Sequence, residues 1–239
     1  MFSMICILSD VHGNLPALQA VLAAAKRLGC RRFISLGDVV GYYSQPGECI
    51  DLLREHNVLN IMGNHDHYLV EGLACPRSRM VSQIMEYQRC VVTSGQVEWL
   101  AASKPSLAEG DNLFVHGGPE DPRDQYLYQV SDATIPRRVR RLFSGHTHVQ
   151  ALADFQGRQY CNPGSVGQPR DGDARAAFAV LADDRVTLHR VGYDIDRTAA
   201  AMRAAGFPPH YSECLYIGAQ IGGRIDTVTI VSADANIQS

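Results

Sequence analysis

At 239 residues with a formal charge of −3, the chain is long enough for a sizeable core and offers no global electrostatic pull toward nucleic acid or an anionic membrane. Apolar residues at 46% and charged residues at 20% exclude an intrinsically disordered chain. No run approaches the roughly 20 apolar residues of a membrane-spanning helix, and the seven cysteines contain no C-x-x-C pair, so a soluble protein with reduced, cytoplasmic thiols is expected.

The opening MFSMICILSD has no basic n-region and no small-residue cleavage site, so it reads as a first strand, centred on Met4 to Ser9. Leu15, Leu18, Val21, Leu22, Ala25 and Leu28 recur at helical spacing and predict a helix over 15–28. The pattern repeats as a strand from Arg32 to Leu36, a glycine-bearing loop, and a helix from Pro46 to Arg54, followed by a strand from Val58 to Met62. Such alternation predicts parallel strands joined by right-handed crossovers, with helices covering the sheet.

Two helical pieces follow, Arg77 to Arg89 and Gln96 to Ala102, broken around Thr93, Ser94 and Gly95. From about residue 112 the chain is strand-rich: 113–115, 142–144, 151–155, 159–161, 178–181 and 185–191 are short runs between turn residues. Asp183-Asp184 predicts a hairpin and therefore antiparallel pairing. The basic run Arg137-Arg138-Val139-Arg140-Arg141 reads as a solvated helix surface. Asp194 is placed to cap a helix from Ile195 to Ala205, which Gly206, Pro208 and Pro209 end. No element is assigned beyond Pro209, so residues 207–239 stand as an extension to a single domain spanning 1–239, with no internal repeat.

Five clusters of metal-binding residue types each begin where an apolar run stops: Asp10-Val11-His12, Gly37-Asp38, Gly63-Asn64-His65-Asp66, His116-Gly117-Gly118 and Gly145-His146-Thr147-His148. Ligands of open α/β sheets bind outside the carboxyl ends of strands, so the clusters are expected to converge on one sheet edge. Packed carboxylates and imidazoles need a cation among them. In an extended segment residues two apart share a side, so Asp10 with His12 and His146 with His148 are expected to face one centre while Val11 and Thr147 face away. Glycines 37, 63, 117 and 145 are read as places where the chain turns and a phosphate approaches. The oxygen and imidazole donors suit two divalent ions (Mn, Fe, Zn or Ni, with Mn favoured) about 3.5 to 4 Å apart.

Taken in order, DVHGN, GDVVG, GNHD, a lone His before Gly, and GHTH resemble the calcineurin-like metallophosphoesterase superfamily over residues 5 to 165. GDVVGYYSQPGECIDLL and NPGSVGQPRDGD look like its small prokaryotic phosphodiesterase-type members rather than the eukaryotic-type protein phosphatases. The resemblance implies a four-layer α/β/β/α sandwich with two mixed β-sheets. It also implies that Asp10, His12 and His148 hold a first metal, that Asp38 bridges, and that Asn64, His116 and His146 hold a second. A hydroxide bridging the two would then attack phosphorus, with His65 protonating or stabilising the leaving oxygen. Asp66 and Asn14 are implied as supports of that site.

Where protein-phosphatase members carry GDxxDRG, Gly41 and Tyr42 stand here in place of the Asp that orients the catalytic His and the Arg that grips phosphate. Protein phosphatase activity is therefore not expected, and His65 is left without a named partner. Arg170 is a candidate for the missing phosphate contact, since a guanidinium fork matches two phosphoryl oxygens. His56, His67, His189 and His210 belong to no cluster, and Tyr42 and Tyr43 suit stacking on a base or aryl ester and packing equally, so all six stay outside the site. The expected activity is metal-dependent hydrolysis of a small phosphoester, a diester before a monoester. Hydrolysis of a nucleotide phosphoanhydride of the dinucleoside polyphosphate type is the alternative. A non-catalytic metal-holding module, like the retromer subunit that resembles this family, stands third. Neither a membrane nor a nucleic acid is an expected partner, and the sequence leaves the oligomeric state open.

Overall fold

A computed structural model describes residues 4–231, so the expected first strand is seen from Met4 onward and residues 232–239 of the expected extension lie outside the description. The chain starts with β1 (Ile5–Leu8), α1 (Leu15–Arg27), β2 (Arg32–Ser35), α2 (Pro46–Glu55) and β3 (Leu59–Asn60). β1 pairs parallel with β2, and β2 with β3, as the alternation of patterns requires. α1 buries Ala17, Leu18, Val21, Leu22 and Ala25, the face its periodicity marks, and starts at an Asn14 cap with Pro16 in its first turn.

α3 (Asn64–Val70) was not expected, because GNHD reads as a turn. α4 (Arg79–Val91) and α5 (Ser94–Ala101) follow, and the break between them is sharper than its sequence suggests. Ser94 and Gly95 lie inside α5, whose Thr93 cap accepts from Gln96 N while the Gln96 side chain accepts from Thr93 N.

The strand-rich half comprises β4 (Ser106–Glu109), β5 (Asn112–Val115), β6 (Gln129–Val130), β7 (Arg141–Phe143), β8 (Ala151–Phe155), β9 (Arg158–Asn162), β10 (Ala176–Ala182) and β11 (Arg185–Val191). α6 (Ile195–Ala204) and β12 (Thr229–Ile230) complete the described chain. The run Arg137 to Arg141 is not helical: Arg141 opens β7, is buried, and bonds Gln159 and Asp184. Asp183 and Asp184 form the β10–β11 hairpin with φ of 47° and 64°, left-handed values that a tight primed turn demands.

Two mixed five-stranded sheets result, with orders β11-β10-β1-β2-β3 and β4-β5-β7-β9-β8. The late hairpin thus returns to the first sheet, where β10 pairs antiparallel with β1. Ile7, Ile34 and Ile61 face Phe114, Phe143 and Cys161 between the sheets, while Cys6, Leu8 and Phe33 face α1 and α2 on the other side. Strands buried on both faces read as continuous apolar runs, which is how ICIL and AAFAV read here. The outermost face of the second sheet is covered by Leu127, Val130 and Ile135 of the loop that carries β6, so this fourth layer is loop and short strand rather than long helix. No helix among the described residues is long and apolar enough to cross a membrane.

Candidate metal centre

The five clusters meet, and they come from both sheets: β1, β2 and β3 deliver Asp10, His12, Asp38 and Asn64, while β5 and β7 deliver His116, His146 and His148. All seven are buried, none more than 3% exposed. Six of the residues supply atoms that could hold an ion in two trios, Asp10 with His12 and His148, and Asp38 with His116 and His146, with the atoms of each trio within 4.8 Å of one another. Asp38 also groups with His12 and His65, so it lies between the two trios.

The local geometry differs from the extended pairs expected from D-x-H and H-x-H. Asp10, His12, Asp38, His146 and His148 have φ of 55°, 53°, 55°, 64° and 60°, in the left-handed region. Non-glycine residues visit that region at a cost of roughly 1–2 kcal/mol each. It is these left-handed turns at the strand ends, rather than strand alternation, that aim both members of each pair inward. The cost is met locally: His12 N donates to Asp38 O at 2.9 Å, His146 N to Asp10 Oδ2 at 3.1 Å, and His65 N to Asp38 Oδ1 at 2.9 Å.

Gly37 turns the chain as expected, with φ of 100°, while Gly63 and Gly145 show a close approach between loops. A Cβ on Gly63 would overlap Asp38 Oδ1, and one on Gly145 would overlap Ser9 Oγ, so these glycines make room for the ligands' own loops rather than for a phosphate. Behind them, Asn162 Nδ2 donates to Gly145 O and Thr147 Oγ1 at 2.9 Å, and Ser165 Oγ donates to Asp10 O at 2.8 Å. The NPGSVGQPR tract is therefore the strut that joins the DVH and GHTH loops.

The donor set fits divalent ions on the evidence of its protons. His12 Nδ1 donates to Val40 O at 2.8 Å, His148 Nδ1 to Gln168 O at 2.7 Å and His116 Nδ1 to Leu36 O at 2.9 Å. A carbonyl only accepts, so each neutral ring carries its proton on Nδ1 and presents a bare Nε2. Yet His12 Nε2 and His148 Nε2 face each other at 3.1 Å, and His116 Nε2 lies 3.1 Å from both Asn64 Oδ1 and His146 Nδ1. Two lone pairs at that distance repel, so a proton or a cation between them is favoured, and the donor set suits a cation. Asp10 Oδ1 and Asp38 Oδ2 are likewise buried without a hydrogen bond. The pattern of backbone carbonyls behind imidazole ligands is how proteins orient metal-binding histidines.

Electrostatics agree. Burial would raise the carboxyl of Asp10, but His148 and His12 hold it well below the usual carboxylate range. Asp38 is lowered in the same way, against its burial, by His116 and His65. Burial opposes a charge on His116, but Asp38 and Asp10 push it up to about 9. His146 and, at about 4, His148 are lowered, both chiefly by burial. Two carboxylates thus favour positive charge beside them, which they draw onto His116, while burial keeps His146 and His148 from protonating.

The supporting residues divide sharply. Asp66 accepts from Asp38 N at 2.9 Å, Val39 N at 2.9 Å, Val40 N at 3.2 Å and Gly63 N at 3.3 Å, which ties the Asp38 loop to the start of α3. Asn14 caps α1, accepts from Thr198 Oγ1 at 2.8 Å and donates to Gly167 O at 2.8 Å, so it joins α1, α6 and the strut and touches no ligand side chain. His65 is 5% exposed with its Nδ1 unpaired, Nε2 3.8 Å from Asp38 Oδ2, and its pKa lowered to about 3, mainly by burial. Arg170 is 6% exposed and its backbone N donates to His148 O at 3.1 Å.

Tyr42 is the residue that sequence reasoning placed outside and the structure places inside. Its ring centroid lies 4.6 Å from that of His12 and 5.1 Å from that of His65, with the Arg170 guanidinium 5.3 Å away over its face. Its position directly after GDVVG was the available signal. Tyr126, stacked on His146 at 3.8 Å, carries no such signal, since it belongs to none of the motifs. Tyr43, fully buried against Ile84 and Met202, is a packing residue, and His67 stands outside the cluster.

Comparison with known proteins follows the same lines. The model of the calcineurin-like phosphoesterase superfamily domain matches residues 4–184. A protein of Methanocaldococcus jannaschii without an assigned activity is 29% identical over 90% of this chain and 98% of its own length. The Escherichia coli phosphodiesterase YfcE is 28% identical over 75% of this chain and 88% of its own length. The crystal structure of a metallophosphoesterase from Sphaerobacter thermophilus is 34% identical, covers 90% of this chain and 99% of that chain, and superposes with a TM-score of 0.79.

Proposed function

Because the chain belongs to the calcineurin-like phosphoesterase superfamily, we propose that it hydrolyses phosphoric esters at a centre of two divalent ions. Asp10, His12 and His148 would hold one ion, Asn64, His116 and His146 the other, and Asp38 both. The ions would make water nucleophilic near neutrality and neutralise charge on the phosphoryl oxygens. The observation that carries this reading is the pair His12 and His148, whose Nδ1 atoms each meet a backbone carbonyl and whose Nε2 atoms face one another at 3.1 Å beside Asp10.

The chain's own side chains would complete the reaction. His65, beside Asp38 and open on Nδ1, is assigned to the leaving oxygen, and Arg170 to the phosphoryl group, since a buried guanidinium without a carboxylate partner is matched by an anion. A diester is favoured over a monoester because the relative YfcE is named a phosphodiesterase and the GDxxDRG arginine is replaced by Tyr42. The mixed oxygen and imidazole donors admit Mn, Fe, Zn or Ni, and Mn is the metal to test first. Five of the seven cysteines are buried and all are free, in keeping with a cytoplasmic location.

The test is a hydrolysis screen over mono- and diesters with Mn²⁺, Fe²⁺, Zn²⁺ or Ni²⁺, run beside Asp38→Asn and His65→Ala. Asp38→Asn is expected to lose at least about a hundredfold in kcat and to bind metal more weakly, and His65→Ala to lose about 10² to 10⁴ in kcat with metal content unchanged. Variants that match the parent would remove the assignment. Inversion at a chiral phosphorus is expected for direct attack by water.

A further inference from the structure

We infer that the cleft beside the proposed centre is a subsite for a second phosphoryl group, so that the substrate is a phosphoester carrying another phosphate beyond the one that is cleaved. This rests on the phosphoesterase reading above. The cleft measures about 380 Å³, and its charged lining residues are Arg77, Arg170 and Arg224. Tyr42, Tyr126 and Tyr128 line it as well, and no Asp or Glu does. In a chain of net charge −3, three guanidinium groups line one cleft whose wall carries no carboxylate, which favours an anion.

The cleft adjoins the centre through residues that touch it. Tyr42 borders it 4.6 Å from His12, Tyr126 borders it 3.8 Å from His146, and Gln168, whose carbonyl accepts from His148 Nδ1 at 2.7 Å, forms part of the same wall. An ester bound with its phosphorus at the centre therefore sends its other half past Arg170 toward Arg77 and Arg224.

Arg170, assigned above to the cleaved phosphoryl group, marks the inner end of the cleft and the direction in which the second group extends. It is 6% exposed and forms no ion pair among the described residues, and Gln168 Oε1 accepts from its Nε at 3.0 Å and its Nη2 at 2.6 Å. Burying a cation without a counter-charge is costly, and an anion of the substrate offsets that cost. Arg77 and Arg224 already meet Asp124 at 3.2 Å and Asp226 at 3.0 Å, and both are largely exposed, so they lie at the outer part of the cleft.

The segment past α6 is built onto this cleft, although it lies beyond the residues 4–184 that match the superfamily. It supplies Gln220, Ile221 and Arg224 to the lining, and Asp226 N donates to Arg170 O at 2.7 Å. Cys214 Sγ lies 3.8 Å from Tyr43 OH, which accepts from Gln168 Nε2 at 3.1 Å, so the segment also backs the residue that orients Arg170. β12 pairs with β6, and Thr229 N donates to Tyr128 O at 2.8 Å. The segment thereby supplies a wall and an arginine that the matched portion does not contain.

The experiment compares p-nitrophenyl propyl phosphate with the same diester phosphorylated at the far end of the propyl group, and titrates metal-free protein with propane-1,3-diyl bisphosphate by calorimetry. The parent is expected to favour the phosphorylated diester by about tenfold or more in kcat/KM, and Arg77→Ala and Arg224→Ala each to bring the ratio toward unity and weaken bisphosphate binding. Arg185→Ala, on the distant β10–β11 hairpin, serves as a charge control whose ratio stays at the parent's. Equal kcat/KM for both diesters, or a ratio that survives both substitutions, overturns the subsite and leaves the phosphoesterase reading standing. If neither diester is cleaved with any metal, the hydrolase reading falls and the titration decides alone: binding weakened by both substitutions keeps the anion subsite, and binding unaffected by them removes it.

Discussion

Gly41 sets the position of the His65 ring by leaving it room. Its φ of +98° suits glycine, and a Cβ there would stand 2.6 Å from His65 Nδ1 and 3.0 Å from His12 Nδ1. The sequence left His65 without a partner because the family's Asp is missing at this place. In the structure the ring is instead packed between the Gly41 backbone and the Tyr42 face, and Gln88 fixes that backbone by accepting from Gly41 N at 2.8 Å and donating to Gly41 O at 3.1 Å. Shape had replaced a hydrogen bond, and shape is not written in a motif. Gly41→Ala is therefore expected to displace the ring and lower kcat by about tenfold to a hundredfold, since an ångström of misplacement carries that penalty. It should also destabilise the fold by about 1–2 kcal/mol through the left-handed backbone, read as a lower urea midpoint. A variant with the parent's kcat would show that His65 is not held by this contact.

At the scale of elements, the long patterned segments were legible and the short ones were not. α1 and α2, with apolar residues at helical spacing, and the β10–β11 hairpin, with its Asp-Asp turn, lie where their patterns put them. α3 spans Asn64–Val70, too few turns for a periodicity to emerge, and β3 and β6 have two residues each. The site's loops were located by the motif order, but their left-handed turns were not, because nothing in D-x-H distinguishes a strand from a turn of that hand. Asp66 shows what such a loop requires. Its carboxylate gathers the backbone N–H groups of Asp38, Val39, Val40 and Gly63, which would otherwise be buried donors without acceptors. Asp66→Ala is expected to cost about 2–4 kcal/mol, at roughly 1–3 kcal/mol for each donor left unsatisfied and some relief from water entry. Metal affinity should fall about 10- to 100-fold, measured by competition with a chelating dye. Asp66→Asn, which keeps one acceptor oxygen, should fall between the parent and the alanine variant, and equal stability of all three would refute the clamp.

For the whole molecule, the proposed centre lies where two sheets meet, and its ligands are shared between them. The first sheet brings Asp10, His12, Asp38 and Asn64, the second His116, His146 and His148, while Ile7, Ile34 and Ile61 against Phe114 and Phe143 fill the layer beneath. The sequence foresaw convergence on one sheet edge and missed that two sheets contribute, because strand order depends on long-range pairing such as β10 with β1. A cation pair in this position binds the folded chain and has no comparable site in the unfolded one, where the two sets of ligands drift apart. Stability should then rise with free metal as RT ln(1 + [L]/Kd), about 2.7 kcal/mol at a hundredfold excess over Kd. For a chain of this size that corresponds to a shift of about 5–10 °C in Tm. Stripping metal with a chelator should lower Tm by that amount, and restoring Mn²⁺ should return it. The shift should disappear in His116→Ala combined with Asp10→Ala, which removes one ligand from each sheet, whereas a single exposed substitution such as Arg185→Ala should leave it intact. A Tm indifferent to chelation and to added Mn²⁺ would mean that protons alone, with His116 raised to about 9, balance the buried carboxylates, and that no ion joins the two sheets.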